Sequence, residues 1–247
     1  MANTQISYSG KPTYFNNTST TAPYIATNAS IIYLNANCSN MFNNCRNITN
    51  WNFLDKFNWD NVTNCGSMFQ GCSNFNQPIT IPDNVTNCSY MFYSCMSFNQ
   101  SIIIPNNVTN CYRMFSGCYK FNQPITIPNK VTDCNGMFGG CLTFNQPIII
   151  PNNVIYCNSM FQSCFNFNQP ITIPDNVTNC SSMFGSCYNF NQPITIPNNA
   201  TDCNGMFNDC NKMNSIVRLP KKFNNGTTTA FWKNCPVSVA NRTLKFY

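Results

Sequence analysis

Apolar and polar positions alternate along most of the chain with a period of 23 residues. One unit, FNQPITIPDNVTNCSYMFYSC, spans residues 75–95. In its second half, four apolar side chains have the i, i+3, i+4, i+7 spacing of one helical face: Cys88, Met91, Phe92 and Cys95. An Asn or Asp precedes the first of these positions in seven of eight units, as expected of a helix N-cap. The pattern therefore predicts a two-turn helix in each unit.

The first half of each unit has the pattern of a short strand. Two Ile residues flank Thr80, which gives the apolar–polar alternation of a strand. Pro78 and Pro82 bound this segment, and proline cannot extend a strand ladder. Each unit is thus predicted to contain a strand, a turn and a short helix.

Cysteine positions show how many units there are. Two columns run in step, seven residues apart, the first from Cys65 to Cys203 and the second from Cys72 to Cys210. Cys38 and Cys45 add one unit at the start. The last cysteine, Cys235, ends a degenerate ninth unit in which three residues replace Cys, Met and Phe: Thr228, Phe231 and Trp232. A fixed period of this length indicates a solenoid, because one such unit cannot bury its apolar face alone.

The motifs resemble a known repeat family. The C-xx-F, IP-xx-V and MF-xx-C elements are similar to the BspA-type leucine-rich repeat, and the FNQ and NVTNCSxMF strings resemble the related DUF285 surface-protein repeat even more closely. The similarity covers about residues 38–235. It implies an α/β repeat solenoid that is leucine-rich-repeat-like, with eight to nine coils. It also implies a surface adhesion or protein-binding module of bacteria, protists or their viruses.

The domain organisation follows from where the period begins and ends. Residues 31–235 are predicted to form the solenoid and residues 236–247 a C-terminal cap. Residues 1–30 are polar and lie outside the period, so they are either an N-terminal arm that packs on a partner or a cap over the first coil. The first ten residues, MANTQISYSG, have neither the basic nor the apolar region of a signal peptide, and no stretch reaches membrane-spanning length. No membrane insertion is expected.

Composition argues against catalysis. Only 8% of residues are charged, His is absent, and the seven acidic residues are all Asp. The usual acid–base pairs and His-activated nucleophiles cannot be built from this set. No C-xx-C pair is present, so neither a metal nor any other cofactor is expected. The sequence therefore predicts a non-enzymatic protein.

Two interpretations of the cysteine columns remain. Equivalent cysteines in adjacent coils would have Cα atoms about 4.8 Å apart, which is within the range for a disulfide ladder. Parallel inward side chains, however, keep their Cβ atoms at that same distance, which is longer than a disulfide favours. We expect buried, reduced thiols that act as small apolar side chains.

An asparagine column accompanies the cysteines, at positions from Asn76 to Asn214. It is predicted to form a ladder of hydrogen bonds that closes the turn leading into each strand.

Two further columns could form a binding surface. The outward position between the two Ile residues of the strand is Thr in most units but Ile103 and Ile149 in two of them. The position after the second cysteine is apolar or aromatic in five units: Met96, Tyr119, Leu142, Phe165 and Tyr188. Exposed, contiguous apolar side chains often mark a partner site. The alternative is that the apolar column after the second cysteine is half-buried between neighbouring coils.

These features favour a recognition, adhesion or structural protein. The expected partner is a protein or glycan surface receptor, with attachment to other virion proteins through the N-terminal arm. Reduced thiols and the absence of a secretion signal favour a virion surface protein, made in the host cytoplasm. The alternatives are a secreted or cell-surface BspA-like adhesin and a purely architectural spacer.

Cationic side chains are concentrated at the C-terminal end, where seven of the 13 follow Asp209. Either they solvate the end cap or they attract an anionic partner. Nucleic acid is not expected as a partner. A homo-oligomer is compatible with the open ends of a solenoid.

Overall fold

The computed structural model describes residues 31–224, 231–232 and 244–247, so the predicted N-terminal arm and Cys235 lie outside the described residues. Within these ranges there are five short strands: β1 (Ile32–Tyr33), β2 (Phe57–Asn58), β3 (Ile194–Thr195), β4 (Val217–Leu219) and β5 (Leu244–Phe246). Short 3-10 helices span Asn52–Lys56 and Lys221–Phe223. Strands β1 and β2 pair in parallel, and β3, β4 and β5 form a parallel sheet in that order.

Successive repeat units stack in register. Isolated parallel bridges join the residue before the first cysteine of each unit to its equivalent in the next, from Asn37↔Asn64 to Asn179↔Asp202. At the C-terminal end, Ile194 of β3 lies opposite Val217 of β4, again 23 residues later. The period in the sequence is therefore the period of the stack.

The predicted short helix is wrong for the described repeat units, where two consecutive turns occupy its place. In the unit of residues 88–95, the N–H of Met91 donates to the carbonyl of Cys88 (3.1 Å), and the N–H of Cys95 donates to that of Phe92 (2.9 Å). The third residue of each turn has a positive φ, +55° at Tyr90 and +57° at Ser94. A positive φ at this position characterises a type II turn and interrupts a helix.

Cross-unit hydrogen bonds explain why turns replace the helix. The N–H groups that the turns do not use point to the next unit: Tyr90 donates to Tyr112, Phe92 to Met114 and Ser94 to Ser116, at 2.7–2.9 Å. A helix would direct these donors along its own axis and leave the neighbouring unit without partners. The turns thus satisfy the backbone and link the stack at the same time.

The predicted strands are present only near the two ends of the described chain. In the middle units, the Ile-Thr-Ile segments and their equivalents carry no strand. Proline does not account for this difference, because Pro193 and Pro197 also bound β3. The hydrogen bond that joins β3 to the next unit, from Ile194 to the carbonyl of Ile216 (3.0 Å), uses an acceptor that proline also has. The middle segment that begins with Ser101 in place of proline has no strand either.

Two stacks of Phe rings fill the core. The rings of Phe92 in one unit and Phe98 at the start of the next have centroids 4.3 Å apart, and Phe115 and Phe121 repeat this contact one period later at 4.4 Å. Equivalent rings of adjacent units are nearly parallel, such as those of Phe92 and Phe115, with centroids 5.7 Å apart and planes 6° from parallel. The Cys, Met, Phe and Val columns around them are almost fully buried. Stacking therefore supplies the apolar burial that a single unit lacks.

The predicted Asn ladder is confirmed. The side-chain Oδ1 of Asn99 accepts a hydrogen bond from the backbone N–H of Asn122 (2.9 Å), and Asn122 accepts one from Asn145 (2.9 Å). The amide of Gln123 also donates to Asn99 Oδ1 (3.2 Å). Each FNQ motif thus contributes a core ring, a ladder acceptor and a second donor to that ladder.

The degenerate last unit joins the stack as its sequence predicts. The N–H of Phe207 donates to the carbonyl of Phe231 (2.9 Å), as other units do to a Met, and Trp232 stacks on Phe207 at 4.7 Å. Within the predicted cap, β5 pairs with β4 along residues 244–246. The hydroxyl of Tyr247 donates to the carbonyl of Ile196 (2.6 Å) and so fastens the chain end to an earlier unit.

Candidate functional site

Two isoleucines protrude from an otherwise polar column. Ile103 and Ile149 are each 86% exposed, and the equivalent Thr126 between them is also exposed. The Ile residues on either side of them, such as Ile102 and Ile104, are buried. The alternation predicted for this segment therefore holds, even though no strand forms. We call this exposed column, which runs from Thr80 to Arg218, the isoleucine column.

A groove lies beside Ile149. It has a volume of about 520 Å³ and is lined mainly by Ile and Pro from three successive units, including Ile148–Ile150, Pro170, Ile171 and Pro193. Prolines fix φ and are rigid, so this part of the surface offers apolar contacts with little conformational freedom to lose. The isoleucine column thus has an apolar recess next to one of its two projecting side chains.

The apolar stripe after the second cysteine is partly exposed. Met96 is 42% exposed, Tyr119 43% and Tyr188 38%, whereas Leu142 and Phe165 are half-buried. Rings of adjacent units contact each other, with Phe165 and Tyr188 stacked at 4.5 Å. The backbone here also links units, because the carbonyl of Phe165 accepts from Asn189 (3.2 Å). The stripe is therefore partly packed between units and partly open to a partner.

The sixteen cysteines of the described residues are buried and free of disulfides. In the second column, each thiol donates to the carbonyl of a Phe in the preceding unit, as Cys118 does to Phe92 (3.0 Å) and Cys141 to Phe115 (3.1 Å). Burial raises the pKa of Cys88 to about 12 and that of Cys118 well above its usual value. A thiol with such a pKa is not a nucleophile near neutral pH. These cysteines are core residues.

One surface cluster was not predicted from the sequence. Tyr90, Tyr93, Tyr112 and Arg113 come together on the turns of two adjacent units. The signal was available, because the same columns in other units hold mainly Ser, Asn, Gln and Gly. Residues that differ from the usual residue of their column do not contribute to the periodic pattern, although they distinguish one unit from another.

No metal or membrane feature is found in the part of the chain that the structure describes. Within residues 31–224, 231–232 and 244–247, no group of three or more Cys, Asp, Glu or His side chains is arranged to hold a metal ion. The helices in these ranges are too short and too polar for one of them to cross a bilayer.

Comparison with known protein families identifies the family of the chain. A family described as "Mycoplasma protein of unknown function, DUF285" matches residues 36–149 and 128–218, which together are more than two thirds of the chain. The chain belongs to the DUF285 family. The two overlapping matches both fall within the stacked units. The BspA-like resemblance of the motifs is thereby confirmed.

A solved structure has a similar fold. It is a leucine-rich repeat protein from Bacteroides ovatus, with a TM-score of 0.55 and 18% sequence identity to this DUF285 chain. The alignment covers 89% of this chain and 61% of the other, so the chain spans less than two thirds of that protein. At this identity, the likeness shows a repeat fold and no more. No curated protein sequence matches the chain.

Proposed function

We propose that this DUF285 protein is a non-enzymatic surface-binding protein whose stacked units form a leucine-rich-repeat-like solenoid. The observation that supports it best is the isoleucine column, where Ile103 and Ile149 are each 86% exposed. Exposing a large aliphatic side chain has no stabilising role in the fold, and Thr serves the same position elsewhere. The absence of His and Glu from the sequence supports a non-enzymatic role.

The partner that best suits the isoleucine column is a protein. Aliphatic side chains next to a rigid groove bury well against apolar protein side chains, and such contacts at the centre of an interface carry much of its binding energy. The partly open stripe with Met96, Tyr119 and Tyr188 adds apolar and aromatic area from neighbouring units. We propose that both columns contact a surface receptor protein.

Two locations fit such a protein, each supported by a different observation. Sixteen buried free cysteines favour folding in a reducing compartment, and a virion assembled in host cytoplasm provides one. The family description names Mycoplasma, which favours a bacterial cell surface as the second candidate. Immunogold labelling of purified virions and of intact cells from the source organism separates the two.

The test of the receptor site replaces both projecting isoleucines with the residue that the column usually has. The double variant Ile103→Thr/Ile149→Thr should change the free energy of unfolding by no more than about 0.5 kcal/mol per site, because both side chains are exposed. Binding of the fluorescently labelled protein to intact cells, measured by flow cytometry, should fall at least about tenfold.

The matched control is Thr126→Ile, which fills the gap between the two isoleucines and should strengthen attachment. If the double variant attaches as well as the wild-type protein, the isoleucine column is not the receptor site. A large loss of stability in the double variant would also contradict the proposal, since it would mean that these side chains serve the fold.

A further inference from the structure

Three tyrosines and an arginine form a cluster on the turns of two adjacent units. The Tyr90 ring lies 5.0 Å from the Tyr112 ring and 5.5 Å from the Tyr93 ring, in edge-to-face arrangements. The guanidinium of Arg113 lies 5.6 Å from the centroid of the Tyr112 ring, within cation–π range. All four side chains are half-buried, so each keeps some surface in solvent.

Two members of this cluster occupy backbone positions that suit other residues. Tyr90 and Arg113 have φ values of +55° and +50°, in the left-handed region that bulky side chains avoid. Gly136 and Gly205 hold the same turn position in later units, with φ of +57° and +66°. Serines hold this position in three further units with φ of +53° to +55°, so the turn itself requires the conformation, and what distinguishes this cluster is the large side chains that it places there.

The next unit leaves room for the arginine. A Cβ atom at Gly136 would lie 3.1 Å from Arg113 Cγ and 3.5 Å from Nε, so the side chain passes directly over this glycine. The Arg113 side chain therefore packs along Gly136, and its guanidinium lies beside the Tyr112 ring. Within the described part of the chain, Arg113 forms no ion pair, and its charge is available to a ligand.

The tyrosines and the arginine also interact electrostatically. Burial raises the pKa of Tyr90, the neighbouring Tyr112 raises it further, and the charge of Arg113 lowers it. The cluster thus presents aromatic rings, hydroxyl groups and a planar cation on neighbouring turns. Ring faces suit the apolar face of a sugar, and a guanidinium pairs with a carboxylate or sulfate through two parallel hydrogen bonds.

We propose that Tyr90, Tyr93, Tyr112 and Arg113 form a binding site for an acidic sugar residue of a surface glycan. Four side chains are too few for a protein interface, which buries about 800 Å² on each partner. The columns around them are short and polar, with Ser, Asn and Gly, and offer no further apolar anchors. This inference rests on the proposed surface-binding function but uses a different part of the repeat from the isoleucine column.

The experiment measures binding of the full chain to sialyllactose and to a hyaluronan tetrasaccharide, with lactose as the neutral control. The wild-type protein should bind the acidic sugars and bind lactose at least about tenfold more weakly. The variant Arg113→Gly should lose at least about tenfold in affinity for the acidic sugars, while its thermal midpoint stays unchanged or rises because the strained residue is gone.

The matched control is Arg218→Thr, which removes the same charge from an exposed position outside the cluster and introduces the residue that this column usually has. Its affinity for the acidic sugars should equal that of the wild-type protein. Tyr112→Asn, which places the residue of the next unit at this position, should weaken binding to both the acidic and the neutral sugars.

Several results would overturn the inference. It fails if the wild-type protein binds none of the sugars, if lactose binds as well as sialyllactose, or if polyglutamate displaces the acidic sugars as effectively as they displace each other. A lower thermal midpoint in Arg113→Gly with unchanged affinity would show that the cluster only packs the turns. None of these outcomes alters the test of the isoleucine column, which uses cell attachment by other variants.

Discussion

At the scale of single residues, the buried thiols make the stability of the core depend on pH. The unfolded chain has thiols with an ordinary pKa near 9.0, whereas burial raises the pKa of Cys88 and Cys157 to about 12 in the folded protein. A buried thiol is harder to ionise than a thiol of the unfolded chain. Its contribution to stability is therefore fully present below pH 9, the pKa in the unfolded chain, and is lost as the pH rises from 9 toward 12. Each thiol of this kind changes the free energy of unfolding by about 1.4 kcal/mol per pH unit in that window.

We therefore expect the protein to be sensitive to alkali. Its thermal midpoint, measured by circular dichroism under reducing conditions, should be constant from pH 7 to 8 and fall steeply above pH 9. Lys and Tyr side chains also titrate in this range, so the control is Cys88→Val, which removes one buried thiol and keeps the site apolar. Its stability should depend less steeply on pH, by about one proton. Equal slopes in the two proteins would show that the thiol does not contribute.

The candidate binding residues were only partly predictable from the sequence. Ile103 and Ile149 could be recognised because an apolar residue stands at an outward position of an alternating pattern. The Tyr90 cluster could not be built from the sequence alone. Its contacts join residues of two units across turns, and the prediction placed those residues on a helix with different geometry.

At the scale of elements, the turn pair explains both the success and the failure of the sequence analysis. Two consecutive turns bury their first and fourth residues, which gives the same i, i+3, i+4, i+7 spacing as a two-turn helix. The apolar pattern therefore predicted correctly that Cys88, Met91, Phe92 and Cys95 are buried. It could not distinguish the backbone, because burial depends on spacing and not on the sign of φ.

The residues at the third position of each turn carried the missing information. Gly, Asn and Ser recur there, and these are residues that accept a positive φ or favour turns. The strand prediction failed in the middle units for a related reason. Alternation placed the Ile side chains correctly, but it specifies which side chains are buried and not whether the backbone forms a hydrogen-bonded ladder.

A pair of glycines tests the turn geometry. Gly140 has a φ of +75°, and a Cβ there would meet only ordinary contacts, at 3.5 Å or more. Gly185 lies in the second turn of another unit without a positive φ, and its nearest Cβ contact is 3.4 Å. Gly140→Ala should lower the free energy of unfolding by about 1 kcal/mol, because the new side chain is strained in the left-handed region.

Gly185→Ala is the matched control and should be neutral or slightly stabilising, since alanine reduces the freedom of the unfolded chain without strain. Chemical denaturation with urea, followed by fluorescence of the Trp residues, measures both changes. Similar losses in the two variants would contradict the turn assignment, because a helix would treat the two positions alike.

At the scale of the whole molecule, each unit is interchangeable with its neighbours in register. The Asn ladder and the stacks of equivalent Phe rings connect positions 23 or 24 residues apart, and the turn hydrogen bonds connect positions 22 residues apart. Removing one full period should therefore reconnect the same contacts. Deletion of residues 144–166 would bring Asn168 next to Asn122, which accepts from Asn145 in the complete chain.

We expect the chain without residues 144–166 to fold cooperatively, with a lower thermal midpoint because one set of unit interfaces is lost. Deletion of residues 144–155, half a period, should prevent folding because it places polar turn residues opposite core columns. Scanning calorimetry and size-exclusion chromatography distinguish the two. A full-period deletion that unfolds the protein would mean that the units are not equivalent in register.

The direction of the hydrogen bonds between units has a mechanical consequence. Because the turns donate to the next unit along the stacking direction, a force that pulls the two ends apart acts along these bonds and opens them one unit at a time, as a zipper opens. Each released unit would lengthen the chain by about 80 Å, since 23 extended residues span about 3.5 Å each. A protein that holds a surface receptor in this way would behave as an extensible tether, which yields in steps under load and keeps its remaining units attached.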